Sequence, residues 1–182
     1  LVDKIKEIVP DVTIYNGYGP SETTIFSAIG NATNQEEITI GRPINNTQIY
    51  ILNKNKKVMP QGTIGELYIS GDGVGKGYMN KEQQTNASFI INPFIDGKVM
   101  YKVGDLGAFD DKGEITCYGR IDNQVKIRGL RIELQEIEKR MQSVYNIHDC
   151  VVVKKVVKGK DALCAYYVEN GHVSKSVLKT VL

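Results

Sequence analysis

Val2, Ile5 and Ile8 recur at helical spacing, and Pro10 ends the helix they predict. Val12–Tyr15 follows as a short strand-like run that leads into the Asn-Gly and Gly-Pro turn signals of Asn16–Pro20. From Ile38 to Gly119 the pattern becomes short strands between turns. The candidates are Gln48–Leu52, Gly65–Ile69, Val99–Lys102 and Glu114–Tyr118, with a hairpin turn at Asp110–Gly113. So many short strands predict a small β-barrel or a strongly bent sheet.

After Asp122 the pattern changes again. Val125 and Ile127 alternate, as do Leu130 and Ile132, and Gly129 between them reads as a hairpin turn. Leu134, Ile137, Met141 and Val144 then share one helical face, with Glu133 and Glu136 near its positive end. Val151–Val157 and Ala162–Val168 read as strands around Gly159-Lys160-Asp161, and Val173–Leu182 reads as a helix. The order β-β-α-β-β-α predicts a compact α+β unit. The chain is thus a mixed α/β sequence expected to divide into residues 1–37, 38–121 and 122–182. Helical patterns already under way at Leu1 and still running at Leu182 suggest a piece of a longer polypeptide.

Composition narrows the picture modestly. The 182 residues are 41% hydrophobic and 24% charged, ordinary for a globular protein. Lys and Arg number 23 against 21 Asp and Glu, so no nucleic-acid or membrane partner is implied by charge. Cys117, Cys150 and Cys164 are widely spaced in apolar runs, and His148 and His172 stand alone, which predicts reduced thiols in a cytoplasmic protein. No signal peptide or membrane span is visible.

Four segments could carry chemistry. In NGYGPSETT (Asn16–Thr24) two glycines and a proline force a sharp loop whose amides can face an anion. Ser21, Thr23 and Thr24 offer hydroxyls, Glu22 a metal-binding carboxylate and Tyr18 a flat face for a base. The plainer reading is a strand–turn–helix connection capped by a hydroxyl. GELYISGDGVGKGY (Gly65–Tyr78) has five glycines but neither Walker nor dinucleotide spacing, so it reads as turn-rich sheet structure without a catalytic role. In YKVGDL, Asp105 after Gly104 could accept two hydrogen bonds from a cis-diol, or could be a turn aspartate. In GRIDNQVKIRGLRIELQEIE, Arg120 presents a planar fork for phosphate or ribose oxygens, and Asp122 lies where the two pattern regimes meet. Lys126 and Arg128 face either a cleft or solvent.

These four blocks, in this order, resemble the adenylation domain of nonribosomal peptide synthetases, within the adenylate-forming ligases. The resemblance implies the end of a large adenylation lobe with a small distorted β-barrel, followed by a compact α+β C-terminal lobe. It places Tyr18 against adenine, Asn16 near the adenine amino group, Ser21 on the α-phosphate, Glu22 on Mg²⁺, Asp105 on the ribose and Arg120 on ribose or phosphate oxygens. Ser21 and Glu22 would be catalytic, Gly17, Ile25 and Phe26 would line the substrate pocket, and Asp122 would be the hinge. A missing side chain beside two apolar ones suits an aliphatic amino acid. The implied reaction consumes ATP and an amino acid, yields aminoacyl-AMP and pyrophosphate, and passes the acyl group to the phosphopantetheine thiol of a carrier domain, with a condensation domain in the same protein.

Three positions depart from the family pattern: Ser21 for Thr, Val103 for Thr, and Cys117 for an aromatic. The family's phosphate-binding loop, its amino-group aspartate and its C-terminal lysine have no counterpart here, so the isolated chain is expected to be inactive. D-alanine:carrier-protein ligases and acyl-CoA synthetases share the chemistry but match QVKIRG less well. A non-catalytic carrier-docking module is the alternative of another class.

Overall fold

The computed structural model describes residues 1–33, 35–122, 124–127, 129–171 and 173–181, less the side chains of Lys126, Lys175, Lys179 and Val181. Arg128 and the Lys126 side chain, considered above for a cleft-facing role, lie outside the described residues. Two compact units emerge, Leu1–Ile121 and Asp122–Leu182.

The first unit opens with α1 (Val2–Ile8) and a three-stranded antiparallel sheet of β1 (Tyr15–Tyr18), β2 (Ala28–Asn31) and β3 (Arg42–Pro43). The Asn16-Gly17 turn signal is overridden: both residues sit in β1, opposite Gly30 and Ile29. No helix follows the loop after β1, because the chain turns back as β2. The strand–turn–helix reading of that loop therefore fails. Gly41, just before β3, has φ +76, and a Cβ there would lie 2.0 Å from the Ile29 carbonyl oxygen. Only glycine fits this crossing.

The second sheet has five antiparallel strands. They are β4 (Thr47–Leu52), β5 (Gly65–Gly71), β6 (Phe89–Ile91, after the short helix α2 at Glu82–Ser88), β7 (Val99–Phe109) and β8 (Ile115–Arg120). β7 is the spine, pairing β5 along one edge while β6 and β8 share the other end to end. The expected distorted barrel is an open, bulged sheet, with β4 paired to β5 alone within it. A bridge between Gly41 and Ile115 joins the two sheets, with Ile40 N–H donating to Ile115 O at 2.8 Å and Ile115 N–H to Gly41 O at 2.9 Å. Pro43, without an N–H, limits β3 to two residues. The Asp110 carboxylate closes the β7–β8 turn by accepting from the amides of Lys112 and Glu114 at 2.9 and 2.7 Å.

Alternation along these strands buries Ile49, Ile51, Leu67, Ile69, Tyr101, Val103 and Ile115 in one core, together with Ala28 and Ile40. On the other face of the five-stranded sheet, Leu52, Tyr68 and Met100 form a smaller cluster, against which Tyr50 and Ile90 pack.

The second unit follows the expected order. β9 (Val125–Ile127) and β10 (Leu130–Ile132) pair as a hairpin, with Gly129 at φ +81 in its turn. α3 (Leu134–Gln142) lies on the pair β11 (Ile147–Val157) and β12 (Lys160–Glu169), and α4 (Lys175–Val181) follows. The β11–β12 turn is tighter than the sequence pattern indicates. Val157 pairs directly with Lys160, leaving Lys158 and Gly159, both at positive φ, as a two-residue connection. Leu134, Met141, Val144, Ile147, Val152 and Val173 form this unit's own core. Among the described residues no helix is long and apolar enough to cross a membrane.

Separate cores predict separate responses to truncation. Leu67→Ala, at a fully buried position, should destabilise the first unit by about 2–5 kcal/mol. Met141→Ala should do the same to the second. Urea unfolding followed by hydrogen exchange on each unit should show protection lost mainly in the unit that carries the substitution.

Candidate functional site

Asp105 owes its direction to two irregularities of β7. Against β5, Glu66 pairs with Leu106 and Tyr68 with Lys102, so Val103-Gly104-Asp105 bulges opposite the single residue Leu67. Against β8, Asp105 pairs with Arg120 but Gly107 with Cys117, which leaves an extra residue on β8 near Gly119 at φ +93. Gly104 itself has φ +82, and its carbonyl accepts from Ile121 N–H at 2.8 Å. Bulges of this kind re-aim a side chain.

The re-aimed carboxylate meets two partners. The Tyr18 hydroxyl, at the end of β1, donates to Asp105 Oδ2. Arg120 Nη1 donates to Oδ1 at 3.0 Å, and Arg120 Nη2 donates to the Val103 carbonyl at 3.2 Å. The ion pair is largely buried, its side chains being 19% and 16% exposed. Burial first, then the Asp105 charge and the hydrogen bond to it, pushes the Tyr18 phenol far above its ordinary range. Tyr18 is therefore a neutral donor at any physiological pH. Its ring packs against the main core.

Strand alternation sorts the remaining β1 candidates. Asn16 shares a face with Tyr18, and its amide donates to the Thr39 carbonyl at 2.7 Å. Asn16 also borders an open cavity of about 740 Å³ between α1 and the β1–β2 sheet, with Lys6, Tyr15 and Thr33 among its walls. Gly17 points to the opposite face, where the Phe26 ring covers it so closely that a Cβ would lie 2.4 Å from Phe26 Cε1. Phe26 is half exposed and Ile25 is 73% exposed. The nucleotide and side-chain-pocket candidates of the sequence thus occupy opposite faces of one short strand.

The turn from Pro20 to Thr24 is built from its own hydroxyls and amides. Thr23 is 2% exposed and its hydroxyl lies 2.7 Å from that of Ser27. Thr24, at φ 68, donates through its hydroxyl to Gly73 O at 2.8 Å. Those two hydroxyls serve the turn, while Ser21 is exposed. Glu22 is partly buried: Tyr78 donates to its Oε1 at 2.6 Å, and Gly75 N–H donates to its backbone carbonyl at 2.8 Å. Asp122, exposed at the first position of the second unit, accepts from Gln124 N–H at 3.1 Å.

Tyr78 is the residue that sequence reasoning passed over. The glycine-rich segment carrying it reads as structural, and no local signal indicates that its terminal tyrosine reaches a carboxylate 56 positions away. Gly73 and Gly75 explain how it does. A Cβ at Gly73 would stand 2.9 Å from Thr23 O, and one at Gly75 would stand 3.2 Å from Glu22 O, so the segment lies directly on the turn.

A match to the AMP-binding enzyme family covers residues 1–79. Bacitracin synthase 3 of Bacillus licheniformis is 44% identical over 94% of the chain, which spans only 3% of that synthase. Among solved structures, a nonribosomal peptide synthetase protein containing adenylation and carrier domains matches the whole chain with a TM-score of 0.84 and 28% identity, the chain covering 38% of it. A four-domain nonribosomal peptide synthetase bound to AMP and glycine matches 98% of the chain at 35% identity and a TM-score of 0.61, the chain covering 14% of it. The chain belongs to the AMP-binding enzyme family and corresponds to part of a nonribosomal peptide synthetase adenylation domain.

The buried phenols predict a particular alkaline behaviour. Tyr18, Tyr78 and Tyr68 are all raised above the ordinary value of about 10, by burial and by bonds to Asp105, Glu22 and Glu66 respectively. Below pH 10 both folded and unfolded states keep these protons, so the groups leave stability unchanged with pH. Above it the unfolded phenols ionise first, and stability falls as pH rises. A tyrosinate absorbance titration should leave Tyr18, Tyr68 and Tyr78 silent until the alkaline unfolding transition.

Proposed function

We propose that this chain supplies the nucleotide floor and ribose clamp of an enzyme that activates an amino acid as its adenylate. In the reaction, a carboxylate oxygen of the amino acid forms a bond to the α-phosphorus of ATP. The bridging α–β bond breaks, and pyrophosphate leaves with its electron pair. The carrier's phosphopantetheine thiol then displaces AMP from the acyl carbon, giving a thioester. Such chemistry relies on positioning and charge stabilisation.

The observation that carries the reading is the Tyr18–Asp105–Arg120 constellation. Asp105 is fixed by a neutral phenol and a guanidinium, yet a carboxylate has about four lone-pair sites. Accepting two ribose hydroxyls on the remaining sites is the role we assign to Asp105. Arg120 holds that carboxylate in place and brings its positive charge toward ribose or phosphate oxygens. The exposed Ser21 hydroxyl donates to the α-phosphate, and Asn16 stands beside the base.

Glu22 fits a magnesium ion. It offers hard oxygen donors, and no group of three or more acidic, His or Cys side chains suited to a metal occurs among the described residues. Mg²⁺ is commonly held by one or two carboxylates together with substrate phosphates and water, a set that needs no protein cage. When bound, it would neutralise charge developing on the phosphates. The half-exposed Phe26 over Gly17, with exposed Ile25 beside it, forms an apolar surface suited to an aliphatic amino-acid side chain. Asp122 takes the position of the hinge, where backbone change between adenylation and thioester formation is absorbed. A carrier domain and a condensation domain complete the proposed protein.

Amino-acid-dependent ATP–pyrophosphate exchange tests the reading in a complete adenylation domain containing this segment. Exchange is expected with one aliphatic L-amino acid. Asp105→Ala should weaken AMP binding about ten- to a hundredfold, the worth of hydrogen bonds to a charged group. The isolated chain should show no exchange. Silence across all amino acids, with AMP binding indifferent to Asp105, would refute the proposal.

A further inference from the structure

Resting on the metal role proposed for Glu22, we propose that Tyr78 is its positioning residue, holding the carboxylate so that it presents oxygen to a divalent cation bound with ATP. The Tyr78 hydroxyl donates to Glu22 Oε1 at 2.6 Å, the one side-chain bond that ties the glycine-rich segment to this carboxylate among those described above. The phenol is itself fixed from several sides. Its hydroxyl lies 3.4 Å from that of Tyr101, and its ring meets Phe89 edge-on at 5.5 Å and 75°. Phe89 in turn packs on Tyr101 at 5.1 Å. The Tyr78 backbone N–H donates to Thr85 Oγ1 at 2.9 Å, and Thr85 comes so close to Gly77 that a Cβ there would lie 2.4 Å from its methyl carbon. Gly77 has φ +129, so both its torsion and its neighbour require glycine.

A long flexible carboxylate is thus held at both ends of its residue. Gly75 N–H grips the Glu22 backbone carbonyl and Tyr78 grips the side chain. A donor whose ring and backbone are both held by neighbours reduces the rotamer freedom Glu22 would otherwise lose on taking up a cation. The Ser70–Tyr78 stretch then has a function beyond bending the sheet: it delivers a hydroxyl to the turn that carries Glu22.

The test uses a complete adenylation domain containing this segment, with Mn²⁺ as the probe metal read by electron paramagnetic resonance in the presence of ATP. Tyr78→Phe keeps the ring and removes the donor. It should weaken Mn²⁺ binding about tenfold, and raise the Mg²⁺ requirement of pyrophosphate exchange by a similar factor, with the KM for the amino acid unchanged. Thr85→Val loosens the Tyr78 backbone while keeping phenol and carboxylate, and should weaken Mn²⁺ binding by a smaller factor, so the proposal stays testable if Tyr78→Phe does not fold. Glu22→Gln separates the two layers. If it weakens Mn²⁺ binding while Tyr78→Phe and Thr85→Val do not, the positioning role is overturned and the metal role stands. If Glu22→Gln has no effect on Mn²⁺, the metal role fails and the positioning role with it.

Discussion

The carboxylate of Asp105 is the constraint on which the first unit's site depends. It receives a phenol from the three-stranded sheet and a guanidinium from the five-stranded one, so the two sheets are pinned through a single side chain. Removing one member of a mostly buried pair leaves an uncompensated charge, at a cost of about 3–5 kcal/mol. The backbone bridge between Gly41 and Ile115 joins the same sheets by amide hydrogen bonds, but it fixes only their proximity. The Asp105 contacts also tie the ends of β1 and β8 to the middle of β7.

Bulges make this possible. A regular β7 would alternate strictly, and its residues near Asp105 would face the core or solvent by position alone. The bulge at Val103-Gly104-Asp105 and the left-handed Gly119 break that alternation where a carboxylate is needed.

The glycine-rich segment works by a different principle. Gly73 and Gly75 are required for close approach rather than for torsional freedom, since they lie against the backbone of Thr23 and Glu22. Missing side chains let one backbone rest on another, and the tyrosine that follows can then reach the turn. Composition suggested turns here, and turns are present, but the segment also serves as the wall of the Glu22 turn.

Most strands and helices could be read from the chain alone. Ile49 and Ile51, or Leu67 and Ile69, alternate with partners on the other face, and Leu134 and Met141 sit two turns apart on one helix, because burial acts on each short segment through its own periodicity. The boundaries that slipped were those where tertiary pairing outweighed a local signal. β1 takes in the Asn-Gly pair, and the β11–β12 turn contracts to two residues. The chain by itself also determined where carboxylates, hydroxyls and glycines stand in order. It could not determine which of them meet. Tyr18 and Asp105 are 87 positions apart, and Glu22 and Tyr78 are 56 apart, so each contact depends on sheet register and on bulges that a one-residue slip would reverse. Periodicity is set between near neighbours along the chain, whereas the meeting of two side chains is set only when distant strands have settled into one register.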